Sequence, residues 1–156
     1  MRRNLLKPVA SIAVPLIIGF LGSMFTRQSV GNWFVTLKKP VFAPPNWLLA
    51  PAWALLYIMM GIAFYLIWQQ GYSVKLRWAL VVYGLQLILN LLWSLFFFGL
   101  RSPLLGLVDI VLLWILVIIN TILFYHLRHA AGLLLIPYIL WLTFALLLNL
   151  SIVILN

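Results

Sequence analysis

Five stretches of this chain are each about 20 residues long and almost wholly apolar: roughly Leu5 to Phe25, Trp47 to Trp68, Trp78 to Gly99, Leu104 to Tyr125, and Gly132 to Leu155. A segment of that length and character spans the hydrocarbon core of a bilayer as one α-helix. Open strands are excluded there, because backbone groups left unpaired in lipid cost several kcal/mol each. The runs also lack the dyad alternation of a membrane barrel. The expected fold class is therefore all-α, an integral membrane bundle of five transmembrane helices. Composition agrees, with 67% of the 156 residues hydrophobic and 7% charged, where a soluble domain is roughly half apolar and about a quarter charged. The runs fill most of the chain, so residues 1–156 read as a single five-helix domain with no soluble module.

Ten Lys and Arg stand against one acidic residue, Asp109. They fall in ones to threes between the apolar runs, not in the patch or stripe of a nucleic-acid binder, so nucleic acid is not an expected partner and lipid headgroups are. Six lie at the N-terminus and in the second and fourth loops, and four in the first and third. That bias favours a cytoplasmic N-terminus. No organelle targeting segment is visible, and a multi-pass protein of a bacterial cytoplasmic membrane is the expected localisation. The chain has no cysteine, which removes disulfides and thiolate metal sites. Met1-Arg2-Arg3-Asn4 before an apolar run resembles a signal peptide, yet no small-x-small cleavage site follows, and a retained first helix is expected.

Pro8 and Pro15 in the first span remove backbone donors and predict a kinked or loosened helix. The connections Gln69 to Arg77, Leu100 to Pro103 and His126 to Ala131 are short, which predicts that successive helices are antiparallel neighbours. The first connection, Thr26 to Asn46, is longer. Its Trp33, Phe34 and Phe42 argue against disorder, and it is expected to fold over one end of the bundle as a lid. No internal repeat of the transporter kind is seen.

Polar side chains inside lipid each need a reason. Gln86, Asn90, Trp93 and Phe97 are spaced four, three and four apart, on one face of the third span. Asn90 there is either a ligand contact or an interhelical tie. Asp109 in the fourth span is either a proton-relay or anchoring group or a hydrogen-bond cap on a neighbouring helix, with Asn120 near the same face. His126 and His129 have no evident third ligand, so no metal site is assigned. Trp47, Trp68 and Trp78 sit at span ends, as interface-belt residues do. Trp53, Trp93, Trp114 and Trp141 lie deeper. Aromatic walls with a few amides describe either a pocket for a large, flat, apolar ligand or plain packing between helices.

Four groups of residues now resemble a known family. Trp33 through Trp53 reads W-x3-L-x-K-P-x3-P-P-x-W-x5-W, with Tyr57 four residues on; then come Gln86-x3-Asn90-x2-Trp93-x3-Phe97-Phe98-Gly99, Leu107-Val108-Asp109, and Pro137-Tyr138-x2-Trp141-x2-Phe144-Ala145-x3-Asn149. On these the chain is identified as a member of the translocator protein family, also called tryptophan-rich sensory proteins and, in animals, the peripheral benzodiazepine receptor. The resemblance covers Gly22-Ser23 to Asn149 and implies five helices with the first loop closing a pocket, commonly in a homodimer. It implies porphyrins and other tetrapyrroles as ligands rather than cofactors, with sterols in some members and synthetic benzodiazepine-type drugs. The implied pocket walls are Ser23 and Thr26 in the first span, Pro45 and Asn46 in the lid, Trp53 and Tyr57 in the second span, Asn90 and Trp93 in the third, and Trp141 and Ala145 in the fifth. Relatives that bind cholesterol carry a C-terminal pattern with Tyr and Arg, which the ending Asn149-Leu-Ser-Ile-Val-Ile-Leu-Asn156 lacks. The expected function is a membrane receptor or carrier for tetrapyrroles and related apolar molecules, serving stress or tetrapyrrole regulation. The alternatives are a light-dependent porphyrin degrader using Trp53 and Trp141, and a small-molecule transporter.

Overall fold

The computed structural model describes the backbone of residues 2–156 and the side chains of residues 5–156. Five helices follow one another: α1 (Arg2–Ser29), α2 (Asn46–Trp68), α3 (Val74–Ser94), α4 (Pro103–Leu127) and α5 (His129–Leu155). All five are long and apolar enough to cross a membrane, and no strand occurs among the described residues. Leu6, Val9, Ile88 and Leu140 point outward and are each more than half exposed. An apolar surface of that extent is stable against lipid and not against water. The chain is an all-α, multi-pass integral membrane protein.

Helices outrun the apolar stretches where a capping side chain permits it. Ser73 Oγ accepts from the Leu76 amide, so α3 begins before Trp78 and takes in Lys75 and Arg77. Hydropathy cannot detect a polar first turn, whereas an N-cap serine marks one. Ser102 does the same for α4 by accepting from the Leu105 amide, with Pro103 in the first turn, where its missing N–H costs nothing. α1 continues through Pro8 and Pro15 as one helix as far as Ser29.

The helices close into a ring in the order α1, α2, α5, α4, α3. α3–α4 and α4–α5 pack side by side, as their short connections predict. α2 and α3 do not, contrary to expectation: α1 packs against both, and they meet through long side chains across the interior. Phe64 stacks on Tyr83 with ring centroids 5.1 Å apart. The link after α2 explains the difference. Residues 69–73 reach roughly 17 Å when extended, enough to cross the bundle end, and Gly71 supplies a left-handed turn there with φ 81°.

The last turn of α3 widens into a π turn over Leu95–Gly99, with the Leu100 amide donating to Leu95 O at 2.7 Å. This buries Phe97 and Phe98 in succession. The first connection is then pinned from two sides. Phe34, in a single 3-10 turn (Phe34–Thr36), is buried with its ring centroid 6.0 Å from that of Phe97 and 5.4 Å from that of Phe98. The Lys38 amide donates to Asn156 Oδ1 (3.1 Å), and Asn156 Nδ2 returns a bond to Lys38 O (2.9 Å).

α1 and α2 cross closely at Gly61, where an added Cβ would stand 2.5 Å from Ile12 Cα and 2.8 Å from Ser11 O. Gly84 faces open space instead, with nothing within 4 Å. Gly61→Val is therefore expected to destabilise the bundle by about 3 kcal/mol, at the upper end for overpacking because backbone must move. Gly84→Ala is expected to be neutral or slightly stabilising. Unfolding of both variants in mixed micelles checks this, and equal behaviour would refute the crossing.

Candidate functional site

In the half of the bundle nearest the first connection, the helices part around a cavity of about 300 Å³. Its walls come from α1, α2, α3 with its π turn, and α5, and Phe34 reaches it from the connection.

The floor is a chain of buried hydrogen bonds. The Tyr57 hydroxyl donates to Asn90 Oδ1 (2.6 Å), and Asn90 Nδ2 donates to Tyr138 Oη (2.7 Å). The Tyr138 hydroxyl then donates to Gln86 Oε1 (2.8 Å), and Gln86 Nε2 lies 3.7 Å from Met60 Sδ. Asn90 thus spends both ends of its amide inside the protein. It is an interhelical tie between α2, α3 and α5 whose edge also lines the cavity. A second tie lies higher: Trp93 Nε1 donates to Asn149 Oδ1 (3.0 Å), and Asn149 Nδ2 donates to Pro103 O (2.8 Å).

The walls are rings. Trp53 stands at the centre, stacked on Tyr57 at 5.7 Å and meeting Trp141 edge to face at 6.2 Å and Trp93 at 6.3 Å. Trp93 stacks on Phe97 at 5.1 Å, and Trp141 packs on Phe144 at 5.6 Å. These are favourable offset and T-shaped geometries. The indole N–H of Trp93 is held by Asn149 and that of Trp114 by Thr143 (2.9 Å). Trp141 Nε1 is buried without a partner.

Most of the residues assigned from the family resemblance converge here. Ser23 and Thr26 line the cavity from α1, Trp53 and Tyr57 from α2, Asn90 and Trp93 from α3, and Trp141 and Ala145 from α5. Pro45 and Asn46 lie outside the lining and are exposed. Pro45 is the extended residue preceding the first turn of α2. The lining also takes in residues outside that set, among them Gly19, Phe34, Phe97 and Asn149. Asn149 was within reach, since Trp141, Ala145 and Asn149 repeat every four residues on one face of α5. Gly19 carries no such signal: it is flat so that the Tyr57 ring can lie against it, and an added Cβ would collide with that ring.

Asp109 is buried in α4 outside the cavity lining, and its Oδ2 has no hydrogen-bond partner. That oxygen does not supply the expected cap on a neighbouring helix. Asn120 is also buried, with Nδ2 unpartnered; it lies about 16 Å further along the helix. His129 stacks on Tyr125 at 4.4 Å, and no group of three or more metal-binding side chains occurs among the described residues.

With this geometry in place, comparison with known proteins identifies relatives. The sequence profile described as the TspO/MBR family matches residues 11–155. A tryptophan-rich protein TspO from Archaeoglobus fulgidus is 50% identical over 153 residues, covering 98% of this chain and 99% of the relative. A protein of the same name from Chlorobaculum tepidum is 42% identical over 157 residues, covering 100% and 99%. The translocator protein of Bos taurus is 38% identical over 138 residues, covering 87% and 82%.

Asn90→Ala removes two bonds of the floor and is expected to lower stability by roughly 1–2 kcal/mol, the range of interhelical hydrogen bonds in lipid. Asp109→Asn, by contrast, is expected not to lower it, because the oxygen replaced has no partner. Detergent-denaturation midpoints measure both, and a harmless Asn90→Ala would show that the floor ties nothing together.

Proposed function

From the premise that this chain belongs to the TspO/MBR family, we propose that it is a membrane receptor or carrier that binds tetrapyrroles and related apolar ligands in the aromatic cavity. Family membership supports the coarser statement, a membrane receptor or sensor role. The finer one rests on a single observation: Trp53, Tyr57, Trp93, Phe97 and Trp141 surround a cavity whose few polar groups are already mostly bonded to each other. A ligand that fits such a lining is flat and apolar, and exchanges few hydrogen bonds with it. In this reading the first connection acts as the lid, with Phe34 as its apolar underside. Lys39 Nζ lies 4.5 Å from the Phe34 ring centroid at that end, where it attracts anionic groups of an arriving ligand.

A second reading, photochemical destruction of bound porphyrin, is favoured by the direct edge-to-face contact of Trp53 and Trp141 in the cavity wall. Both are tested by protoporphyrin quenching of tryptophan fluorescence in nanodiscs, in darkness and then under light. The native chain is expected to bind saturably. Trp53→Phe combined with Trp141→Phe is expected to bind about tenfold more weakly, as two aromatic contacts of about 0.5–1.5 kcal/mol each require. Absence of saturable binding would remove the tetrapyrrole function and leave the fold untouched. Under light, stable porphyrin absorbance supports the receptor, and a loss that depends on Trp53 and Trp141 supports the second reading.

A further inference from the structure

The cavity wall is not equally thick all round. On the α2–α5 side Trp141 and Phe144 stand between the cavity and a shallow groove on the outer surface. On the α1–α2 side there is no such ring pair. There α2 presents Ala50 and Ala54, four residues apart on one face, and both line the cavity while remaining exposed outside. Opposite them on α1, Phe20 also lines the cavity and is 61% exposed. Residues that face both the cavity and the surroundings mark an opening, which here lies between α1 and α2.

One cation lies on the rim of that opening. Arg27, in the last turn of α1, folds back along its helix: its guanidinium carbon is 5.8 Å from the Phe20 ring centroid, and Nη2 is 3.5 Å from Ser23 Oγ. Phe20 and Ser23 are both cavity-lining residues. No carboxylate side chain pairs with Arg27 among the described residues, since the one acidic residue, Asp109, is buried in α4. A free guanidinium beside an apolar opening is a binding group for a carboxylate, with which it makes charge-assisted, often bidentate hydrogen bonds. The cavity volume lies at the low end for a drug-sized ligand. A larger planar molecule seated on Trp53 and Trp93 therefore leaves an edge in the opening, within reach of Arg27.

We propose that Arg27, on the rim of the gap between α1 and α2, is the residue that binds the carboxylate of an otherwise apolar, planar ligand seated in the cavity. The proposal deepens the tetrapyrrole reading and rests on it for one of its two probes. The experiment measures tryptophan quenching in phosphatidylcholine nanodiscs by protoporphyrin IX and its dimethyl ester, and by 1-pyrenebutyrate and its methyl ester. The proteins are the native chain, Arg27→Gln and Arg27→Lys; the exposed position makes misfolding an unimportant concern. Arg27→Gln is expected to weaken both acids about three- to tenfold, the size of one partly exposed charge-assisted contact. Both esters are expected to bind all three proteins equally, and Arg27→Lys to recover most of the loss. Equal losses for acid and ester, no loss for the acids, or no saturable binding of pyrenebutyrate to the native chain would each overturn the assignment. If protoporphyrin fails to bind while pyrenebutyrate shows the dependence on Arg27, the tetrapyrrole reading falls and the assignment of Arg27 stands.

Discussion

Lipid offers no hydrogen-bond partner, so a polar side chain carried into the bundle is costly unless another group of the protein meets it. The run from Tyr57 through Asn90 and Tyr138 to Gln86 is how this chain meets that demand. Its members sit on α2, α3 and α5, elements that the short loops do not by themselves bring together. Two of the three, α2 and α3, are not neighbours in the ring, and the run spans the interior between them. It therefore ties α2 to α3 across the interior of the bundle. Below it, large side chains such as Phe64, Tyr83 and Phe124 fill the space completely.

Above it the packing changes character. Gly19, Ala50, Ala54 and Ala145 are too small to fill the gap that the tied helices leave, and the rings of Trp53, Trp93 and Trp141 line it instead. The π turn at the end of α3 brings Phe97 and Phe98 inward, which gives Phe34 of the first connection a surface to rest on. Ser29 Oγ donates to Phe98 O at 2.6 Å, and Arg101 Nε donates to Ser29 Oγ at 3.3 Å. The end of α1, the first connection and the α3–α4 turn are thereby fastened together.

The five spans were legible because lipid imposes one length and one composition on every helix that crosses it. The lining residues of α2 and α5 were legible only through the family's motif spacing, since aromatic packing and an aromatic pocket look alike in a single sequence. Three features were not legible, each for a physical reason. Helix starts at Val74 and Pro103 depend on single serine caps that hydropathy averages away. The separation of α2 from α3 depends on the reach of a five-residue link, whose length equally allows the neighbouring arrangement. The exclusion of Pro45 and Asn46 from the cavity lining depends on the path of the first connection, which carries no periodic signal in the sequence. Asn90 was left between a ligand contact and a tie, and only its bonded partners decide it.

The space above the hydrogen-bonded floor is a binding site if it takes up ligand, and loose packing if it does not. A crystal structure grown from lipidic mesophase with protoporphyrin tests it most directly. The account predicts the macrocycle against Trp53 and Trp93, above an unbroken Tyr57–Asn90–Tyr138 run, with one edge between α1 and α2. Porphyrin bound on the lipid-facing surface, with the cavity collapsed or empty, would contradict it.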